Sequence, residues 1–204
     1  MILFDGGSYA YGHELENPEI ESYPYLFAKM GLMEGASSRR YANIAKNGKS
    51  NDAIVRTTIE FCTNNIVSSV IIQFAPYSWR ERMAYCGKLY YNMTPYNKDE
   101  KSIEYFEKMQ NLHDDVSNFH KNRYILENFL QKRNIKYYFI ELQRREDIVG
   151  YIPSSWYHLV NKTPITNFRD ILGKQIENEQ NFTNGHPSKL GHQLIARHLY
   201  ENFY

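Results

Sequence analysis

Ser8 and His186 are the residues of this chain best placed to act as a nucleophile and its base. Ser8 lies in Met1-Ile-Leu-Phe-Asp-Gly-Gly-Ser-Tyr-Ala-Tyr-Gly12, where a short apolar run stops at two glycines and another glycine closes the turn. That pattern predicts a strand emptying into a tight turn with a hydroxyl at its tip. His186 lies in Asn184-Gly-His-Pro-Ser-Lys-Leu-Gly-His192, a loop just ahead of an amphipathic stretch. A serine hydroxyl is a poor nucleophile at its free pKa. It needs an adjacent base, usually an imidazole whose other ring nitrogen is held by a carboxylate or a carbonyl. Acyl transfer also needs backbone N–H groups aimed at the oxyanion of the tetrahedral intermediate. The amides of Ser8 and Gly48 are the candidates, because glycine lets a backbone approach the substrate. Alone, Ser8 reads as a helix cap; Gly48 and His186 turn the balance toward chemistry.

The elements that must bring these positions together follow from periodicity. Short apolar runs predict strands at residues 2–5, 41–45, 69–75 and 135–142, with 69–75, apolar almost throughout, at the centre of the sheet. Helices are predicted at 23–30, from 50 to about 61, over 98–132 with a break near 113–115, and from 187 to 204. The long helical stretch carries Ile103, Phe106, Met109, Val116, Phe119, Ile125 and Phe129 at mainly three- and four-residue intervals. Residues 77–97 read as a polar, aromatic loop, and 143–185 are the least readable segment. Strands separated by helices, with no tight hairpin signals, imply right-handed crossovers and a parallel sheet. The fold class is therefore α/β, a three-layer α/β/α sandwich. In such a sheet the loops after strand carboxyl ends share one rim. Those loops are 6–12, 47–52 and 75–81.

Length and composition set the bounds. A chain of 204 residues fits one well-cored domain over 1–204. The 24 basic residues nearly balance the 23 acidic ones, so no net field draws the chain onto nucleic acid in general or onto an anionic membrane. Cys62 and Cys86 make no metal-ligand spacing and read as free thiols of a cytoplasmic protein. Asp5 interrupts the first apolar run too early for a leader, and no later stretch approaches a bilayer span. No metal or cofactor is expected, since the spacing of His186 and His192 is not a zinc pattern. Most of the 18 tyrosines read as punctuation of apolar faces.

Three blocks in order carry a family likeness: Gly-x-Ser-x-x-x-Gly at the N-terminus, Asn43 to Gly48 after the second strand, and His186-Pro-Ser-x-x-Gly-His192. Together they resemble the SGNH/GDSL hydrolases. With Ser50 to Ile59 and the Arg80-Glu81 pair, they resemble small SGNH-like proteins encoded by bacteriophages. The resemblance implies a flavodoxin-like sandwich with Ser8 as nucleophile, Gly48 as oxyanion donor and His186 as base, acting on a small-molecule or carbohydrate ester. It says nothing of the oligomeric state. Three positions depart from the family pattern. Gly7 stands where an aspartate usually precedes the serine. Ala75 stands where an asparagine donor falls, leaving Gln73, Ser78 or Arg80 as substitutes. Thr183 and Asn184 stand where an aspartate usually orients the histidine. A Ser-His dyad, or a triad with a carboxylate recruited from elsewhere, such as 143–185, is the expected machinery. Asn51 is a candidate at the substrate site or as a holder of the Gly48 loop, and Arg80 either pairs in a structural salt bridge or binds a substrate anion. His13 and Glu14 read as exposed and inert, and His192 and His198 as structural or surface residues. The alternatives are a binding or accessory protein on the same scaffold and, less favoured, a phosphate site in the glycine turn.

Overall fold

Near-continuous burial along the central strands organises the chain around a sheet covered on both faces. A computed structural model describes residues 1–33, 40–83, 90–141, 165–167, 182–183 and 186–203; Cys86, Asn184 and most of 143–185 lie outside them. In chain order the first half contains β1 (Ile2–Gly6), α1 (Ser8–Tyr11), α2 (Pro18–Glu21), α3 (Tyr23–Met33), β2 (Tyr41–Asn43), α4 (Asn51–Asn64) and β3 (Ser69–Gln73). There follow β4 (Arg80–Met83), β5 (Tyr90–Met93), α5 (Glu100–Glu104), a π-helical turn (Tyr105–Met109), α6 (Leu112–Lys132), β6 (Lys136–Glu141), β7 (Ile165–Asn167), β8 (Phe182–Thr183), β9 (His186–Pro187) and α7 (Lys189–Phe203).

Five strands form one sheet in the order β2-β1-β3-β6-β7, every pair parallel. Successive strand side chains point to opposite faces, and the sheet residues divide accordingly. Leu3, Val70, Ile72 and Phe139 pack with Ile54, Val55 and Cys62 of α4 and with Val116, Phe119, Leu126 and Leu130 of α6. Ile2, Phe4, Ile71 and Ile140 pack with Tyr23 and Phe27 of α3 and with Ile195, Ala196, Leu199 and Phe203 of α7. These are the three layers expected from the sequence, with β3 in the middle.

Local chemistry sets the helix starts. The Ser50 hydroxyl accepts from the Ala53 N–H at 3.3 Å and caps α4, and the Asn111 amide oxygen accepts from the His113 and Asp114 N–H groups and caps α6. The sequence placed the break in the long helix near 113–115; the π turn and Asn111 put it a few residues earlier. Its apolar stripe was only partly right. Ile103, Met109 and Ile125 are exposed, whereas Val116, Phe119, Leu126 and Leu130 are buried. The 77–97 segment, read as a loop, contains the antiparallel pair β4–β5. β7 extends the sheet within the segment that was hardest to read.

The β4–β5 pair is fastened to the helical layer by charge. Arg80 Nε and Nη2 donate to Asp115 at 3.1 and 2.9 Å, and Nη2 also donates to Asp114 at 2.8 Å. Arg56 meets both oxygens of Glu81 at 2.9 and 2.7 Å. Among the described residues no helix is long and apolar enough to cross a membrane.

Candidate active site

At the carboxyl edge of the sheet, Ser8, Gly48 and His186 line one cleft of about 590 Å³. The loops after β1, β2 and β3 all reach it, through Ser8, Asn47 and Pro76 respectively, as the parallel topology requires. Ser8 opens α1 and is 6% exposed. Its turn is latched by Gln73, the last residue of β3, whose Oε1 accepts from the Gly7 N–H at 2.9 Å and the Ala10 N–H at 3.3 Å. Gln73 Nε2 in turn donates to the Phe74 carbonyl at 2.5 Å. Both ends of that amide are occupied, so Gln73 holds the Ser8 turn rather than facing the cleft.

Beneath the turn lies a buried charge. Asp5 is fully enclosed and accepts from Lys49 Nζ, from the Gly6 N–H at 2.7 Å, and from the Thr57 and Thr58 hydroxyls at 2.7 and 2.9 Å. Burial pushes its carboxyl pKa up, and the ammonium and hydroxyls pull against that. The pair ties β1 to the segment that carries Gly48. Gly48 adopts φ +72, a left-handed conformation that favours glycine. Among the described residues, neither the Ser8 amide nor the Gly48 amide is taken up by a protein acceptor. Both N–H groups are thus left open to an acceptor from outside the chain, as an oxyanion site requires.

His186 reaches the cleft on β9, which packs against α1. Its ring sits edge-on to Tyr9 at 5.5 Å and to His13 at 4.8 Å. Glu14 Oε2 lies 3.3 Å from His186 Nδ1. That is within ion-pair distance, although the ring nitrogen is not aligned for a good hydrogen bond. Glu14 has φ +70, in the region a non-glycine residue seldom occupies. Its side chain retains only 25% of its accessible surface. Burial lowers the His186 pKa; the Glu14 carboxylate raises it and His13 lowers it further. His13 and Glu14, which the sequence suggested were inert, are thus both at the histidine. The signal available for them was position alone, directly after the Ser8 turn.

The remaining sequence candidates are engaged elsewhere. Asn51 is buried, and its amide makes a reciprocal pair with Ala75, donating to the carbonyl at 3.0 Å and accepting from the N–H at 2.8 Å. That pair joins the Gly48 loop to the loop after β3. Arg80 spends its guanidinium on Asp114 and Asp115, so its partner is α6 rather than the neighbouring Glu81. His192 is structural: its Nδ1 accepts from the Tyr23 N–H at 3.0 Å, and its ring stacks on that of Tyr23. Among the described residues no group of three or more histidine, cysteine, aspartate or glutamate side chains could hold a metal. The sequence missed the far wall of the cleft, where Trp79, Thr94, Tyr96 and Asn97 come from the β4–β5 excursion.

No protein-family model and no curated sequence matches the chain. Solved structures do match in shape. A protein described as lipolytic, of the G-D-S-L family, from Desulfitobacterium hafniense DCB-2 superposes with a TM-score of 0.63 at 12% identity over 98% of this chain and 97% of its own. The esterase EstA from Pseudoalteromonas sp., in a structure inhibited by monoethylphosphonate, gives 0.62 at 16% identity over 98% and 94%. The acetyl xylan esterase AlAXEase gives 0.63 at 13% identity over 100% and 99%. The chain has the fold of these proteins.

Proposed function

We propose that the chain hydrolyses or transfers ester-linked acyl groups, with Ser8 as nucleophile and His186 as general base. The observation that carries this reading is the meeting of Ser8, Gly48 and His186 on one cleft at the carboxyl edge of the sheet. In the first half-reaction His186 accepts the Ser8 hydroxyl proton as the oxygen attacks the ester carbonyl, whose electron pair moves onto its oxygen facing the Ser8 and Gly48 amides. Collapse expels the alcohol, which takes the proton from the imidazolium. Water, deprotonated by the same ring, then releases the acid. Likeness in shape to esterases supports this reading at the level of fold.

For the substrate we propose a carbohydrate or similarly polar ester. Trp79 and Tyr96 meet edge to face at 6.3 Å beside the cleft, and Tyr96 is 81% exposed, giving apolar faces on which a sugar ring can stack. Asn47 and Asn97 stand among them with polar side chains. The phosphate alternative loses support from the turn itself, since the Gly6 and Gly7 N–H groups already donate to Asp5 and Gln73. The accessory-protein alternative draws on Ala75, whose methyl side chain offers no third donor. Acetylated oligosaccharides and short-chain aryl esters, assayed with the wild type and Ser8→Ala, test the proposal. Turnover that vanishes with Ser8→Ala is expected. Turnover unaffected by that substitution would remove Ser8 as nucleophile, and a stoichiometric partner whose binding survives Ser8→Ala, without turnover, would favour the accessory role.

A further inference from the structure

We infer that Glu14 is the positioning carboxylate of His186, completing a Ser8–His186–Glu14 relay whose acid follows the nucleophile in sequence instead of preceding the histidine. This rests on the reading of Ser8 and His186 as nucleophile and base. Three independent features carry it. Glu14 Oε2 stands 3.3 Å from Nδ1, the ring nitrogen a positioning acid must hold if Nε2 is to serve as the base. The Glu14 backbone sits at φ +70, where glutamate is uncommon, at the point where the chain leaves α1. The ring is also confined on its other sides by Tyr9 and His13.

The titratable groups facing His186 are few. Glu14 and His13 come from the segment after α1, Tyr9 from α1, and His192, whose own ionisation feels His186, from α7. Lys189, at the start of α7, is turned to Glu21 at 2.7 Å. Glu14 is therefore the acid set against this ring among the described residues. With the carboxylate on the Nδ1 side, the neutral ring carries its proton on Nδ1 and leaves the Nε2 lone pair for the Ser8 proton. As the Ser8 oxygen bonds to the acyl carbon, that proton moves to Nε2, the ring becomes cationic, and Glu14 stays ionised beside it. The Nδ1 proton does not transfer. A small rotation of the ring that aligns Nδ1–H with Glu14 Oε2, 3.3 Å away, gives it one tautomer and one orientation, which the Thr183-Asn184 pair in the sequence does not provide by itself.

Two measurements on Glu14→Gln decide the matter. In steady-state assays it is expected to lower kcat by about 10²- to 10⁴-fold with little change in KM, the upper figure being the loss on amidating the acid of a serine protease triad. Its acid limb is expected to move to lower pH, because a charge that favours the imidazolium is gone. Glu14→Asp, compatible with the same backbone conformation, is expected to recover part of the rate. Nitrogen NMR of the histidine rings provides a readout independent of turnover: wild-type His186 should titrate as the Nδ1–H tautomer, and Glu14→Gln should lower its pKa and mix its tautomers. Unchanged kcat, acid limb and tautomer in a folded Glu14→Gln protein would overturn the assignment. Absence of any Ser8-dependent turnover in the wild type, with the NMR result as expected, would instead sink the hydrolase reading and leave the pairing standing.

Discussion

In its proposed role His186 works as a base only when neutral, so its pKa would fix where activity begins. Burial holds that pKa below the ordinary 6.5, against the opposing pull of Glu14. The active fraction rises as pH climbs through the lowered value. The acid limb of kcat/KM should accordingly have its midpoint below pH 6.5, with a plateau through neutrality. A midpoint at or above 6.5 would contradict the burial seen here. Gly48 offers a second check at this scale. A Cβ there would meet nothing within 4 Å, so Gly48→Val is limited by its left-handed backbone, which costs a β-branched residue about 1–2 kcal/mol. Because that strain would displace the proposed oxyanion donor, kcat should fall on the order of 10²-fold with KM near wild type; an unchanged kcat would remove Gly48 from the proposed machinery. That Ser8, Gly48 and His186 share one rim was legible because each sits in a motif of glycines, prolines and small polar residues. The approach of Glu14 to that rim was not, because it depends on the fold bringing β9 beside α1, and no local pattern records that.

The turn that carries Ser8 is only as rigid as the strand ends beneath it. Gln73 belongs to the central strand, yet its side chain closes the turn of β1, so Gln73→Leu leaves the Gly7 and Ala10 N–H groups without their acceptor. A loss of about 1–3 kcal/mol in chemical denaturation is expected, together with a lower kcat; full activity and stability would show that the latch is dispensable. Gly6 reports how closely β1 and β3 approach, since a Cβ there would stand 2.7 Å from the Gln73 carbonyl oxygen. Gly6→Ala should destabilise by about 1–3 kcal/mol through overpacking. At this scale the sequence was informative wherever one face decided the pattern. The buried run Val70-Ile-Ile72 read as the central strand, and Ser50 marked the start of α4. The β4–β5 pair escaped notice because Arg80-Glu81-Arg82 looks like solvated loop. Ion pairs to α4 and α6 give it its place, and partners distant in sequence leave no periodicity to read.

Across the molecule, the layer opposite the α4–α6 face depends on a buried neutral histidine. His192 is fully enclosed, and burial lowers its pKa to about 4. The unfolded chain takes up a proton near pH 6.5 that the folded protein refuses until about pH 4. Stability should therefore be complete above 6.5 and fall as pH drops, by about 3 kcal/mol at pH 4 from this group. His192→Gln, which keeps an acceptor for the Tyr23 N–H, should flatten that slope by about one proton; an unaltered slope would assign the acid sensitivity elsewhere. The three-layer architecture was open to sequence reading because strand and helix periods alternate along the chain. The cleft was only half visible, since its aromatic wall is an excursion from the sheet. Every role proposed for the cleft depends on Ser8 being an activated nucleophile. Treatment with a serine-directed fluorophosphonate followed by peptide mass spectrometry tests that most directly. A single adduct on Ser8, lost in Ser8→Ala and slowed in His186→Gln, is the predicted result; a folded wild-type protein that takes no label at Ser8 would contradict it.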